Sequence, residues 1–376
     1  MKRERKSLCI AIPNYMTTVV GGAELQSYYL AEELLLRGWK IEIVHFYNDK
    51  KVVNPQYLNP DIKFYSIKNS KLRFISFLRG LNVLFKTNSY YYYYRTDSPL
   101  GASVALFSHF RKIFSIYSCA DNGSYLKRRY SRQFDWKAYK SKVKAITRYI
   151  DVSIIDKLIE FSKYKADLVI AQTNHQAELF EQNFEKQTVI LRNSSIFNEV
   201  EPLEKENLIL WVGNLRKIKR PELFIEFFHK CRFSGYNFVM IGEMAEKYDF
   251  RNTIEANLNK FQYIGKQSFE ITEDWIRRAR FIINTSDSEG FSNTFIQAWY
   301  HRTFILSLNS DPDDLFSRLG FGYFANGDID LLVDRCTEYV SSYSKVIPKL
   351  DEAEVFVKHE FDLKKNVSKF EGFLVQ

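Results

Sequence analysis

A carboxylate, a glycine turn and a polar helix start follow one another in the segment 288–299. Just before this segment, the apolar run 281–284 predicts a buried strand. Such a strand-to-helix junction faces the ligand in many α/β proteins, because the helix N-terminus carries partial positive charge. Glu289 lies in the junction as a hydrogen-bond acceptor. The amides that could face an anion belong to four consecutive residues: Phe291, Ser292, Asn293 and Thr294.

A second candidate segment, 212–222, gathers four basic side chains within five positions: Arg216, Lys217, Lys219 and Arg220. A predicted strand ends at Gly213, and Pro221 is placed to begin a helix. Basic side chains beyond a strand end can neutralise a diphosphate. The alternative is a solvated basic loop, and charge alone does not decide between the two.

Two adjacent glycines, Gly21 and Gly22, follow the first predicted strand and open a predicted helix that includes Glu24. Glycines let the backbone turn sharply and bring amide groups close to a ligand, although a plain turn would look the same. The chain has no Gly-x-Gly-x-x-Gly fingerprint, so a nicotinamide or flavin site loses its main support.

Two further candidates follow predicted strands. Asp121 comes after the strand 112–118 and could orient an acceptor or sugar hydroxyl groups, or simply cap a helix. Gly242 and Glu243 come after the strand 238–241. The histidines show no HxxxH spacing and the carboxylates form no Asp-x-Asp, so we expect no metal site. The four cysteines form no CxxC pair, which favours reduced, structural thiols.

Strands that alternate with helices must position these residues, which predicts parallel sheets covered on both faces. The chain of 376 residues is too long for one compact core. The polar, acidic stretch 193–207 predicts the break between a first domain, 1–195, and a second domain, 205–355. We expect the helical segment 356–376 to pack back toward the first domain. The predicted strands are 8–13, 40–46, 62–67, 112–118, 167–173 and 188–192, then 208–212, 238–241, 262–264, 281–284 and 304–308. The tyrosine run 90–94 predicts a further strand that buries alternate rings.

The formal net charge of +9 suits acidic partners such as nucleotides or anionic lipids. Much of this charge lies between residues 124 and 150, interleaved with aromatic rings, which is typical of an interface with anionic lipid headgroups. The alternative is a solvated helix whose aromatics pack inward. No reading-head motif supports nucleic-acid binding. The basic residues of this stretch are Lys127, Arg128, Arg129, Arg132, Lys137, Lys140, Lys142, Lys144 and Arg148.

Together these segments resemble the GT-B glycosyltransferases, specifically the retaining family 4 type within glycosyl transferases group 1. The acidic motif of that family has two glutamates eight positions apart; here Glu289 holds the first position and Gln297 the second. The basic loop of the family has Gly-Arg-Leu, with a lysine four residues beyond the leucine. Lys219 matches this lysine, but Asn214 replaces the arginine, and Arg216 is the nearest substitute. The run from Gly21 to Glu24 resembles the amino-terminal loop of the family.

The resemblance implies a GT-B fold, with two doubly wound Rossmann-like domains and an interdomain cleft. It implies Glu289, Lys219 and Asp121 as catalytic residues. It places the donor diphosphate and sugar against Gly21, Gly22, Arg216, Lys219, Phe291, Ser292, Asn293 and Thr294. It places the nucleotide against Gly213, Gly242, Glu243 and Gln297.

Gln297 departs from the family, which has a glutamate at this position. A neutral amide binds a hydroxyl group more weakly than a carboxylate does. Hydrogen bonds to charged groups contribute about 1.5–3 kcal/mol, against about 0.5–1.5 kcal/mol for neutral ones. The position could therefore still hold the ribose more weakly, or mark a non-catalytic relative.

We predict a hexosyltransferase that moves a sugar from a nucleotide-sugar, a UDP-sugar by preference, to a glycan or lipid-linked acceptor in surface-polysaccharide assembly. By family analogy the reaction retains anomeric configuration and needs neither metal nor cofactor, since Lys219 and helix dipoles replace the ion. We expect a cytoplasmic protein, peripheral on the inner membrane face and without nucleic-acid partners. The alternatives are a nucleotide-sugar epimerase of the same fold and a non-catalytic relative that acts as a binding partner.

Overall fold

The computed structural model describes residues 4–18, 21–47, 54–199, 203–244, 252–253, 256–257 and 261–374. Contacts divide the chain into two units. The first unit contains Met1–Ser194 together with Leu363–Gln376, and the second contains Ser195–Asp362. Each unit is built around one parallel sheet.

The first unit, as far as it is described, has a seven-stranded sheet in the order β3-β2-β1-β4-β5-β6-β7. Its strands are β1 Ser7–Ile12, β2 Lys40–Tyr47, β3 Lys63–Lys68, β4 Tyr91–Arg95, β5 Phe114–Ser118, β6 Leu168–Ala171 and β7 Val189–Ile190. Its α-helices are Gly22–Leu36, Arg73–Leu84, Pro99–Arg111, Arg129–Arg132, Lys142–Lys165, Asn174–Phe184 and Leu363–Leu374.

The second unit, over its described residues, has a six-stranded sheet in the order β10-β9-β8-β11-β12-β13. Its strands are β8 Glu206–Val212, β9 Asn237–Ile241, β10 Gln262–Tyr263, β11 Ala279–Asn284, β12 Phe304–Ser307 and β13 Gly322–Phe324. Its α-helices are Pro221–Lys230, Phe269–Arg278, Asn293–Tyr300, Leu315–Leu319, Ile329–Ser341 and Ile347–Glu360. The strand order reverses between β8 and β11, and ligands of open α/β sheets bind beyond the strand ends at such a reversal.

The core of the second unit lies on both faces of its sheet. Successive residues of β8 alternate between the two faces: Ile209 and Trp211 pack into one cluster, and Leu208 and Leu210 into the other. Helices cover both faces, so the strands read as continuous apolar runs rather than as alternating ones.

The predicted strands are confirmed, and with them the α/β fold of two parallel sheets. The tyrosine run also forms a strand, but the expectation that it buries alternate rings is wrong. Tyr92, Tyr93 and Tyr94 are all buried, because β4 is a central strand that is covered on both faces. The sequence reasoning missed β13, which has only three residues and begins with a glycine.

The helical return to the first unit begins at Leu363 rather than at residue 356. Before that point, the helix Ile347–Glu360 packs against Asn293–Tyr300 within the second unit. After it, the helix Leu363–Leu374 packs against Gly22–Leu36. Glu371 fixes this contact by accepting hydrogen bonds from Arg37 Nη1 at 2.8 Å and from Trp39 Nε1 at 2.7 Å.

No helix among the described residues combines the length and the apolar character that a membrane span requires.

Candidate functional site

The site in the second unit is formed by two loops that leave the carboxyl ends of β8 and β11. These strands are neighbours in the sheet, on either side of the point where the strand order reverses. The loop after β8 carries Lys219, and the loop after β11 carries Glu289. The two side chains are 70 positions apart in the sequence, and the sheet order brings them together.

Lys219 and Glu289 form an ion pair, with 2.5 Å between Lys219 Nζ and Glu289 Oε1. The lysine side chain is 28% exposed and the glutamate side chain 11%. An ion pair that is this far withdrawn from water is screened less than a surface pair. The contact therefore places a positive and a negative group side by side at the edge where a ligand would bind.

Three donors converge on Oε1 of Glu289. Besides Lys219, Ser286 Oγ donates at 2.6 Å and Asn284 Nδ2 at 3.3 Å. Burial would raise the pKa of Glu289, but the Lys219 ammonium and these hydrogen bonds together hold that pKa below its ordinary value. Glu289 is consequently an ionised carboxylate at neutral pH.

The loop around Lys219 is fixed through its backbone. Thr285 Oγ1 donates to the carbonyl oxygen of Lys219 at 2.8 Å, and Trp211 Nε1 donates to Thr285 Oγ1 at 2.9 Å. Trp211 belongs to β8 and is buried in the core. These two hydrogen bonds connect the Lys219 backbone to the buried side chain of Trp211, and so fix the position of the loop relative to the core.

Two further contacts join the same loops. The amide of Asp287 donates to the carbonyl of Ile218 at 2.9 Å, and Arg220 Nη1 lies 2.8 Å from Asp287 Oδ1. Arg220 has a φ of 48°, in the left-handed region, immediately before Pro221 begins the next helix. The basic loop and the acidic loop thus form one connected structure.

Gly213 and Gly242 lie against each other where β8 and β9 end. A Cβ atom on Gly242 would come within 1.7 Å of the carbonyl oxygen of Gly213, so only glycine fits at that position. The amide of Leu215 donates to the carbonyl of Glu243 at 2.8 Å and continues the contact. The carboxylate of Glu243 pairs with Lys266 at 2.7 Å, and both side chains are exposed.

The helix Asn293–Tyr300 begins next to Glu289, with Ser292 in the N-cap position. No side chain of a described residue caps it. The Phe291 side chain is buried and packs against Phe361 with ring centroids 4.8 Å apart, so only its backbone could serve a ligand. Thr294 lies in the first turn, as the sequence predicts.

Gln297 lies one turn further along this helix and is buried. Within the described part of the chain, its Nε2 atom has no hydrogen-bond partner. A buried amide without a partner is unusual, and a bound molecule that supplies one would account for it.

Arg216 is exposed at the start of the basic loop, before the short 3₁₀ turn Lys217–Lys219. Within the described residues, no hydrogen bond or ion pair engages its side chain. Its guanidinium group is therefore accessible to an anion, and its role at a diphosphate stays a prediction.

Gly21 and Gly22 belong to the first unit, where the helix Gly22–Leu36 begins after β1. Gly21 is in the N-cap position with extended backbone, and the carboxylate of Glu24 lies beside it. Glu24 therefore places negative charge at the positive end of its own helix, which lowers the attraction of that end for a phosphate. Val20, which precedes the glycines, lies outside the described residues.

Asp121 follows β5 in the first unit and is held by two contacts. Its Oδ1 accepts the amide of Gly123 at 2.8 Å, and its Oδ2 lies 2.8 Å from Arg129 Nη2. The aspartate thus closes a turn and does not cap a helix. Its side chain is 47% exposed, which leaves the carboxylate open to a hydroxyl group, and its catalytic role stays a prediction.

Arg129 connects Asp121 to a buried charge cluster that the sequence reasoning missed. Asp97 is fully buried and lies 2.9 Å from Lys163 Nζ and 3.4 Å from Arg129 Nη1. Burial would lower the pKa of Arg129, but the carboxylates of Asp121 and Asp97 raise it. Thr96, next to Asp97, has a φ of 76°, which a β-branched residue rarely adopts and which often marks a functional site.

The second unit therefore brings together most of the residues that the sequence predicts for the donor: Gly213, Arg216, Lys219, Gly242, Glu243, Glu289, Phe291, Ser292, Asn293, Thr294 and Gln297. The supporting residues Asn284, Thr285 and Ser286 escaped the sequence reasoning. The sequence does contain a signal for these residues. Asn284 ends the apolar strand β11, and two more polar residues follow it at the carboxyl edge that carries the site.

Residues 193–340, which contain the whole of this site, match the family described as glycosyl transferases group 1. No curated protein sequence matches the chain.

Solved structures of glycosyltransferases resemble the whole chain. Anabaena HepE in complex with UDP is 13% identical with a TM-score of 0.72, over 98% of this chain and 99% of that one. Sucrose-phosphate synthase from Thermosynechococcus elongatus is 13% identical with a TM-score of 0.75, over 97% and 98%. A mutant of S. aureus TarM, in complex with fondaparinux, alpha-GlcNAc-glycerol and UDP, is 12% identical with a TM-score of 0.74, over 99% and 100%. At these identities the likeness establishes the fold, which is GT-B.

Proposed function

We propose that this chain, which has the GT-B fold and matches the glycosyl transferases group 1 family over residues 193–340, transfers a hexose from a nucleotide-sugar to a hydroxyl group of a glycan or lipid-linked acceptor. One observation carries the proposal. Lys219 and Glu289 form an ion pair at the carboxyl edge of the second sheet, where the strand order reverses.

The chemistry assigned to this pair follows from its charges. The bond between the anomeric carbon and the diphosphate breaks as the bond to the acceptor oxygen forms, and negative charge grows on the leaving diphosphate. The Lys219 ammonium stabilises this charge, and Arg216 adds a second cation from the same loop. The Glu289 carboxylate accepts hydrogen bonds from hydroxyl groups of the donor sugar.

The retaining course belongs to this proposal as well. The acceptor hydroxyl attacks on the face from which the diphosphate departs, and its proton passes to an oxygen of that diphosphate. The diphosphate therefore acts as the base, and Lys219 holds it in place for this step.

The UDP-sugar preference rests on two similar structures, HepE and TarM, whose descriptions name UDP. In this chain, Gly213 and Gly242 lie at the carboxyl ends of β8 and β9, the edge at which a nucleotide would approach the backbone. Gln297 would then offer its buried amide to the nucleotide or its ribose.

For the acceptor, we propose a lipid-linked glycan at an anionic membrane surface, as part of surface-polysaccharide assembly. The helix Lys142–Lys165 exposes Val143, Ile146 and Ile150 along one face, at the spacing of successive helical turns. Exposed Lys142 and Lys144 flank this face. Apolar groups beside basic ones suit the boundary between acyl chains and anionic headgroups.

Some aromatics of the basic stretch pack against one another rather than toward a membrane. Phe134 stacks on Tyr139 at 5.5 Å, and Trp136 lies 4.9 Å from Tyr149. The membrane proposal therefore rests on the exposed helix face and not on these rings.

Flotation with vesicles tests the membrane proposal. The chain should float with anionic vesicles, and the triple variant Val143→Ser, Ile146→Ser, Ile150→Ser should stay behind. Vesicles of neutral lipid are the control. Equal flotation of the variant, or no flotation of the wild type at low salt, would contradict the proposal.

The donor assay separates the three candidate functions. The chain is incubated with UDP-, GDP- and ADP-sugars, with and without a membrane lipid extract. Nucleotide release that depends on the extract supports transfer, and an isomerised donor supports an epimerase. A non-catalytic relative would give neither product.

A further inference from the structure

A cavity of about 760 Å³ lies in the second unit, away from Lys219 and Glu289. Its walls include Lys205, Arg277 and Arg302, each of which comes just before a strand. The cavity therefore opens at the amino edge of the sheet, whereas the proposed donor site occupies the carboxyl edge. Nothing in the proposed transfer reaction uses it.

Three cations meet at this edge because of the strand order. Lys205 precedes β8, Arg277 precedes β11 and Arg302 precedes β12. These strands are adjacent and parallel, so their amino ends lie side by side. The three residues are far apart in the sequence, and only the sheet gathers them.

Lys205 is the centre of the group. Its Nζ donates to the carbonyl of Arg277 and to Thr303 Oγ1, both at 2.8 Å. Burial and the positive charges of Arg302 and Arg277 lower the pKa of Lys205 to about 7. Burial is the larger cause of the lowered pKa and the two arginines add to it, so an anion bound beside Lys205 would favour its charged form.

Two side chains of the cavity wall carry buried polar atoms without partners. Among the described residues, nothing hydrogen-bonds to Arg277 Nε or to the Tyr343 hydroxyl. Buried donors are nearly always satisfied, so each such atom calls for an explanation. A ligand rich in oxygen atoms would supply acceptors to both.

The cavity wall also carries three carboxylates, Glu199, Glu354 and Asp362, against four cations, Lys205, Arg277, Arg302 and Lys358, and two of these cations engage Glu354. Lys358 lies 2.5 Å from Glu354, and Arg302 lies 4.0 Å from the same carboxylate. Arg302 also pairs with Asp351 at 2.5 Å, while its side chain remains 43% exposed. Lys205 and Arg277 have no comparably close carboxylate within the described residues, apart from Asp274 at 4.0 Å from Arg277 Nε.

The volume of the cavity limits the class of ligand that it can hold. A cavity of about 760 Å³ falls within the range of small-molecule sites, roughly 300–1,000 Å³, and is far larger than an inorganic phosphate needs. Polar groups and the ring of Tyr300 share its wall, which suits a sugar. Its cations suit a phosphate.

We propose that this cavity binds a phosphorylated sugar, with the phosphate against Lys205, Arg277 and Arg302. The site is separate from the donor site and lies at the opposite edge of the same sheet. The helix Asn293–Tyr300 runs between the two, because it begins beside Glu289 and ends at the cavity.

Isothermal titration of the full chain tests the proposal, with a hexose phosphate and inorganic phosphate as probes. The hexose phosphate should bind more tightly than inorganic phosphate. Its affinity should fall at least about tenfold in Lys205→Met and in Arg302→Gln, equivalent to about 1.4 kcal/mol. Arg302 is partly exposed, so its variant should remain folded even if the buried Lys205 does not tolerate replacement.

Two controls locate the binding. Lys349→Met removes an exposed cation of the same unit outside the cavity wall, and it should leave the affinity unchanged. Lys219→Ala removes the cation of the donor site, and it should also leave the affinity unchanged. Failure of this test would not touch the transfer proposal, which uses different residues.

Three results would overturn the inference. The first is the absence of hexose phosphate binding to the wild type. The second is equal binding to the wild type and to Arg302→Gln. The third is a loss of binding in Lys219→Ala, which would assign the ligand to the donor site. Equal affinities for inorganic phosphate and for the hexose phosphate would contradict the proposal that the cavity also holds a sugar.

Discussion

At the scale of single residues, Lys219 and Glu289 depend on each other. Each is the main opposite charge available to the other in a site that is mostly withdrawn from water. Removal of one partner would leave the other as a poorly compensated charge, which is strongly unfavourable. In the proposed reaction Lys219 contacts both the donor diphosphate and Glu289, and the ion pair would hold the lysine in position before the donor binds.

The lowered pKa of Glu289 predicts a pH dependence of stability. A carboxylate with a depressed pKa in the folded state stabilises that state above its ordinary pKa of about 4.3. This contribution is lost as the pH falls through the lower, folded-state value. The urea midpoint of the wild type should therefore exceed that of Glu289→Gln at pH 7. The gap should shrink as the pH falls below about 4.

A constant gap between pH 7 and pH 3 would contradict this assignment. It would mean that the negative charge of Glu289 adds nothing to the stability of the folded chain beyond what an uncharged glutamine side chain provides. Glu243→Gln is the matched control, because that carboxylate lies in an exposed pair that is worth little.

Gln297→Glu tests the role of the unusual position in the acidic motif. If Gln297 faces the ribose, a carboxylate there should tighten UDP binding by about fivefold, since a charged acceptor gains about 1 kcal/mol over a neutral one. UDP titration measures the change. Gln262→Glu adds the same charge on the exposed end of β10 and should have no effect. Unchanged or weaker UDP binding in Gln297→Glu would show that the position does not face the ribose.

Charged residues close together in the sequence were the most useful signal for candidate functional positions. The basic loop and the acidic motif predicted Lys219 and Glu289 as functional residues, and the structure pairs them. Sequence reasoning did not foresee Ser286, because a serine beside a glutamate looks the same in a solvated turn. It also missed Asp97, which contacts Lys163 only through the fold.

At the scale of elements, the site is a property of the strand order. Both loops leave strands that flank the reversal point, and Thr285 links the second loop to the first through the Lys219 carbonyl. The loop that carries Lys219 is therefore anchored to Trp211 of the core.

Thr285→Val should weaken this anchor without changing any charge. The variant leaves the buried Trp211 N–H and the Lys219 carbonyl without their partner, which costs about 1–3 kcal/mol. Urea unfolding should show the loss, and kcat should fall because Lys219 is no longer held in place. Thr337→Val is the control, since its hydroxyl donates to the Val333 carbonyl of its own helix. Wild-type stability together with wild-type kcat would show that the anchor is unimportant.

The elements themselves were largely predictable, because apolar runs and helical spacing are local signals. The exceptions are instructive. The short strand β13 gives too few residues for a pattern, and the burial of Tyr93 depends on the central place of β4, which no local pattern records. The sequence could not predict the cationic cavity either, because its three cations come together only through the strand order β8-β11-β12.

At the scale of the whole molecule, each unit carries candidate chemistry at the carboxyl edge of its own sheet. The second unit holds the proposed donor residues, and the first holds the cluster of Asp97, Arg129 and Asp121. Contacts divide the chain after Ser194 and after Asp362, whereas the sequence predicts a second domain at 205–355. The second unit is longer at both ends, and at its end the helix Ile347–Glu360 stays with it.

Metal removal tests whether the chain relies on protein cations alone. In this account Lys219 neutralises the leaving diphosphate in place of a divalent ion. Acceptor-dependent turnover should therefore survive dialysis against EDTA, measured as nucleotide release. Loss of turnover that Mg²⁺ or Mn²⁺ restores would contradict the expectation.

The most direct measurement is the rate of acceptor-dependent UDP release by Lys219→Ala beside Lys217→Ala. Both variants remove one lysine from the same short turn, but only Lys219 contacts Glu289. The account predicts a fall of at least about a hundredfold in kcat for Lys219→Ala, the usual scale for one electrostatic stabiliser. It predicts a near-normal rate for Lys217→Ala. Equal rates for the two variants would contradict the assignment of Lys219 to the leaving diphosphate.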